Sequence, residues 1–126
     1  MAYNATVTIT QLGGRKLRVV ITETDAEASS EATIAGLPTE GLLLTQLADK
    51  TAGAGSTIDP RLTTASGSTL ATQTIIENGT AAASISNVAS PAFPYSSDTG
   101  TLYHKSGVDS GTNNSITTVY LIKAGW

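Results

Sequence analysis

The only imidazole in the chain is His104, in the stretch LYHKSG, so any histidine-based acid–base chemistry would have to run through it. A serine-type hydrolase needs a nucleophile, a base and a group that orients the base. Ser106 follows two residues later, but no G-x-S-x-G elbow accompanies it. The expectation is therefore a strand histidine hydrogen-bonded at a surface or interface, with no catalytic residue. Glu23, Asp25, Glu27 and Glu31 are grouped, yet their spacing lacks the glycine-bearing loop of a calcium hand, so no metal is expected. The remaining acids fall mostly in loops and turn flanks, without the sugar-binding aromatics that would accompany a glycosidase pair. Asp59 before Pro60, and Asp109, suit turn chemistry. GGRK and GAGST are glycine-rich but carry neither the spacing nor the strand-to-helix setting of a phosphate loop, so no cofactor is expected.

Composition narrows the remaining classes. The net charge is −3, and Arg15, Lys16 and Arg18 form the nearest thing to a basic cluster, beside a predicted hairpin. Neutralising a phosphate backbone takes many clustered cations, so no nucleic-acid partner is expected. The chain has no cysteine, which removes disulfides, thiol catalysis and the common zinc sites together. No stretch is long and apolar enough for a membrane helix, and the first residues show no basic and apolar leader pattern; synthesis in the cytosol and no membrane partner are expected. Only 13% of residues are charged, so the surface must rely on threonine and serine, which tolerate contact with neighbours.

The elements that would position these groups are strands. In ATVTITQLGGRKLRVVITET, Val7 and Ile9 alternate with threonines, and Leu17, Val19 and Ile21 alternate with Lys16, Arg18, Val20 and Thr22 around Gly13 and Gly14. That period of two with a glycine turn predicts a hairpin with one buried face. LATQTIIENGTAAASISNV predicts a second hairpin turning at Asn78-Gly79. Residues 39–50 fit a strand, the preferred reading, or a helix, because Leu43, Leu44, Leu47 and Ala48 also match helical spacing. Thr24 and Glu27 resemble a capping box for a short helix over 25–31, where an irregular connection is preferred. Pro91 and Pro94 bracket Phe93 and Tyr95 in what reads as a stiff loop. Short strands follow around 101–105 and from Ile116 to Lys123. The pattern predicts one all-β domain over 1–126, an antiparallel β-sandwich or jelly roll.

Aromatic residues are few, and those at loops and ends are the best candidates for holding a partner, since they bury much area at low entropic cost. Phe93, Tyr95, Tyr120 and Trp126 are the predicted partner interface. For Tyr120, as for Tyr103, the alternative of simple core packing stands equally.

Four stretches, ETDAEASSEATIAGLPTEG, TAGAGSTIDPRL, GTLYHKSGV and VYLIKAGW, resemble segments of small virion structural proteins of tailed bacteriophages. Such proteins look like capsid decoration, or cement, proteins. The resemblance implies a β-sandwich or jelly roll that sits as a dimer or trimer over junctions between major capsid protein subunits, and a location in the virion. It implies no catalytic residue. A head-to-tail or tail-associated component is an alternative, as is a carbohydrate-binding sandwich on a virion fibre with an exposed aromatic platform.

Overall fold

The computed structural model describes residues 3–27, 30–52, 57–66, 74–77, 84–108 and 114–125. These contain strands and no helix. In chain order the strands are β1 (Asn4–Gly13), β2 (Lys16–Thr24), β3 (Ala32–Ile34), β4 (Glu40–Ala52) and β5 (Arg61–Thr63). They continue with β6 (Thr74–Glu77), β7 (Ser84–Ser96), β8 (Leu102–Lys105) and β9 (Ser115–Ala124). Five form one sheet in the order β1-β2-β9-β4-β7, and four form a second in the order β3-β8-β5-β6. Every pairing is antiparallel.

The first hairpin forms as its alternation requires. Inward positions of β2 are Leu17, Val19, Ile21 and Glu23, while Lys16, Arg18, Thr22 and Thr24 face out. Gly14 and Arg15 make the tip with φ of 60° and 61°, the positive values a tight primed turn needs at both central residues. Arg15 takes this conformation without being glycine, and its carbonyl accepts a 2.8 Å hydrogen bond from the Ala124 amide at the end of β9.

From Glu40 the segment is strand, as β4, and the helix-like spacing has a local cause. The register of β4 shifts between Leu43 and Thr45 against both neighbours. A bulge adds one residue to one strand and offsets the alternation. Leu43, Gln46 and Ala48 therefore all point inward, at intervals of three and then two.

Two expectations need correction. The second hairpin does not form as a paired unit: β6 joins β5 in the four-stranded sheet, while β7 joins β4 in the five-stranded one. Asn-Gly signals a chain reversal but does not name the strand that each arm pairs with; Asn78 and Gly79 themselves lie outside the described residues. The proline segment is no loop, because Pro91 and Pro94 fall within β7. That strand is the last of its sheet, the position where a residue without an N–H is tolerated. The segment after β2 is irregular at its described residues 25–27 and 30–31, which is the preferred reading. Asn114 clamps it, accepting from the Ala26 amide at 2.8 Å and donating to the Ala26 carbonyl at 2.7 Å, while Asp25 takes a φ of 54°.

Inward residues of both sheets share one apolar cluster: Leu17, Val19, Ile21, Leu43 and Ile122 from the five-stranded sheet with Ile34, Leu62 and Leu102 from the other. A smaller cluster of Ala26, Ala48, Ile58, Val108 and Ile116 lies further along the same strands.

Candidate functional site

Between those two clusters the inward phase of four strands turns polar. Glu23 follows Ile21 on β2, Gln46 lies between Leu43 and Ala48 on β4, and Thr118 lies between Ile116 and Tyr120 on β9. His104 follows Leu102 on β8, flanked in register by Ala32 and Leu62. All five polar or hydroxyl-bearing side chains, Glu23, Gln46, His104, Thr118 and Tyr120, are 0% exposed. Strand alternation alone thus puts an acid, a base and two hydroxyls in one layer.

Their geometry is a continuous chain. The Gln46 amide nitrogen donates to the Tyr120 hydroxyl oxygen at 3.1 Å. Tyr120 Oη is 2.6 Å from His104 Nδ1, and His104 Nε2 is 3.0 Å from Glu23 Oε1. Tyr3 closes the other end by donating to Glu23 Oε2 at 2.6 Å. One proton arrangement serves the chain from Tyr120 to Glu23: Tyr120 donates to Nδ1, and His104 carries its proton on Nε2 toward the carboxylate, with Thr118 Oγ1 3.5 Å from that nitrogen. The imidazole and phenol rings meet edge to face, with centroids 5.5 Å apart.

Carboxylate, imidazole and hydroxyl are the ingredients of a proton relay, but here each reactive atom is committed to a protein partner. A general base must come within hydrogen-bond reach of the proton that it removes. Both ring nitrogens of His104 are bonded inside a layer with no exposed surface. What this arrangement does is tie β8 of one sheet to β2, β9 and β4 of the other. The surface or interface setting expected for His104 is corrected accordingly: the LYHK alternation places Leu102 and His104 on the same inner face. Ser106 is also buried, but its hydroxyl makes no hydrogen bond to a described residue and is not the partner of His104. The acids do not gather either, and among the described residues no group of three or more histidine, cysteine or acidic side chains converges as a metal site.

Burial also fixes the tyrosines. The Tyr120 phenol is pushed well above its ordinary range by burial, with the Gln46 bond opposing and the Glu23 charge adding. Tyr3 shifts the same way through burial and its bond to Glu23. Burial raises Tyr95 to about 12. Tyrosine in the unfolded chain ionises near pH 10. Between pH 10 and 12 the unfolded state has therefore shed phenolic protons that the fold retains, so stability must fall as pH rises through this window. Urea midpoints measured from pH 9 to 12 should decline, and Tyr95→Phe should make the decline shallower.

The predicted interface residues separate. Phe93 is 40% exposed, at the outer edge of its sheet. Tyr95 is buried against Gly41, where an added Cβ would lie 2.6 Å from its ring, and its hydroxyl donates to the Pro38 carbonyl at 3.0 Å. Tyr120 is wholly inside. Neither Tyr95 nor Tyr120 presents a surface to a partner, and both are corrected to core: each occupies an inward strand position opposite a small or polar neighbour. Trp126 lies outside the described residues, while Ala124 and Gly125 before it donate to the carbonyls of Arg15 and Glu40.

Sequence reading missed Glu23, Gln46, Thr118 and Tyr3 as members of this layer. The signal was the phase: Leu17, Val19 and Ile21 project straight onto Glu23, as Leu102 does onto His104. No family model, no curated protein and no solved structure matches the chain.

Proposed function

We propose that this chain is a decoration protein of a tailed-bacteriophage head, a β-sandwich of the jelly-roll kind. It binds the outer surface of the capsid, strengthens contacts between major capsid protein subunits, and self-associates as a dimer or trimer. The observation that carries the reading is the outer face of the five-stranded sheet. Register aligns Thr8, Val20, Val119 and Leu47 in one row across it, and Thr6, Thr22, Thr117 and Asp49 in the next. Leu47 is 41% exposed. The charge within these two rows is Asp49, while Lys16, Arg18 and Lys123 lie beyond them toward one end of the face, so its threonine and valine centre has little charge to desolvate and suits protein contact. The resemblance to phage virion proteins supplies the partner, and many weak copies on a closed shell supply the avidity.

Heads lacking this protein should bind it in sedimentation and then resist heat better. Leu47→Lys places a charge at the centre of the contact face and should weaken binding about tenfold or more. Its fold should survive, because Leu47 faces outward. Undiminished binding by Leu47→Lys would remove this face from the contact.

A second reading has its own observation. An open cleft of ≈ 380 Å³ is lined by Ser66, Ser96, Asp98, Thr99 and Tyr103 among others. An aromatic wall with hydroxyls and a carboxylate is the chemistry of a sugar site, which favours the carbohydrate-binding alternative. Glycan-array binding that Tyr103→Ala abolishes would support it over decoration; silence on the array would count against it.

A further inference from the structure

We propose that this chain forms a two-fold dimer by pairing β1 with β1 of a second copy, extending the five-stranded sheet across the dyad. The inference rests on the self-association in the proposed function and narrows it to one strand and one symmetry.

The four sheet edges are not alike. β3 and β6 close the smaller sheet with three and four residues, too short to template another strand. β7 is long, but Pro91 and Pro94 interrupt its donors. β1 runs for ten residues, NATVTITQLG, with neither proline nor charge. It pairs with β2 on one side, and no described strand pairs with the other. An unguarded edge of this length offers a row of free backbone donors and acceptors, which proteins normally blunt.

The side chains indicate which partner fits. In a dyad-related antiparallel pair the residue on the axis faces its own copy and the others face residues of the same strand, so a strand of one charge sign would set like charges against each other. β1 has none from Asn4 to Gly13. A dyad perpendicular to the sheet keeps inner residues opposite inner ones. With the axis at Val7, Ala5 faces Ile9 and Thr6 faces Thr8; at Thr8, Val7 faces Ile9 and Thr6 faces Thr10. Ala5, Val7 and Ile9 pack on the main apolar cluster yet remain only partly buried. Their β2 neighbours on the same face, Val19 and Ile21, are 0% exposed. The difference is a missing neighbour on one side, which the same residues of a second copy supply. A dissimilar partner strand would be free to carry charge, and β1 could then carry its complement.

The test uses the full chain. Sedimentation equilibrium should give a dimer, and Thr6→Lys with Thr8→Lys should raise its dissociation constant about 100-fold by placing like charges across the dyad. Both threonines are exposed, so circular dichroism should be unchanged. Because the chain has no cysteine, single Val7→Cys and Thr8→Cys variants report the axis directly: one should form an intermolecular disulfide in high yield, and Leu47→Cys should not. A folded monomer at hundreds of micromolar would overturn both this pairing and self-association. An oligomer that cross-links through Leu47→Cys or Phe93→Cys, and is indifferent to the lysines, would overturn the β1 pairing alone.

Discussion

His104→Ala is expected to lower the unfolding free energy by about 3–5 kcal/mol, the order expected when a large buried side chain is removed and its hydrogen-bond partners are left without it. The loss has two parts. Glu23 Oε1 and the Tyr120 hydroxyl each lose a partner inside a layer that is 0% exposed, and the space between Ala32 and Leu62 empties. Groups wired in series do not contribute independently. Glu23→Ala should cost a similar amount, and the double variant much less than the sum of the two. Urea unfolding of the four proteins gives that cycle directly. At a temperature where His104→Ala remains folded, it should still bind capsid, because the layer acts on the scaffold and not on the contact face. Strict additivity would mean that Glu23 and His104 are neighbours without being a unit.

The second large effect concerns the strand that carries His104. β8 is only four residues long and is held at both ends by close backbone approaches. Before it, Gly100 has a φ of 69°, its carbonyl accepts from the Leu37 amide at 2.9 Å, and an added Cβ would lie 2.2 Å from the Leu37 carbonyl oxygen. After it, Gly107 has a φ of 62°, and an added Cβ would lie 2.3 Å from the Asp59 carbonyl oxygen, beside the 2.9 Å bond from the Asp59 amide to the Ser106 carbonyl. Any L-residue side chain at either position meets a left-handed backbone cost of about 1–2 kcal/mol and a displacement cost of about 1–3 kcal/mol. Gly100→Ala and Gly107→Ala should each destabilise by roughly 2–5 kcal/mol on those two costs combined, whereas Gly36→Ala, with open space around its Cβ, should lose only the backbone share. Thermal melts of the three variants separate the two contributions. Equal losses at all three positions would show that the close approaches contribute nothing.

Much of this architecture was legible in the sequence wherever one face of a strand is simply apolar. The hairpin of Val7, Ile9, Leu17, Val19 and Ile21 could be read directly, and so could the strand of Ile116, Tyr120 and Ile122. Legibility failed where alternation carried information of another kind. Glu23 and His104 are polar residues in an apolar phase, and composition invites placing them outside; only the phase shows that they are inside together. The bulge near Leu44 disguised a strand with helical spacing. Pairing across sheets was not legible at all, because the sequence of β6 and β7 specifies a reversal without naming the neighbour that each strand buries against. Exposure of Tyr95 and Tyr120 was misjudged for a related reason: Gly41 and Gln46, which make room for them or bond to them, lie on a strand distant in sequence.

On the proposed function, this chain is a scaffold whose buried polar layer holds the two sheets together and whose outer face adheres to a phage shell. A side-chain-resolution image of the mature virion tests that most directly. The prediction is density for this fold on the outside of the head, its five-stranded sheet face against major capsid protein subunits and Leu47 at the contact. A bare capsid lattice, with the chain found at the tail or missing from the particle, would contradict it.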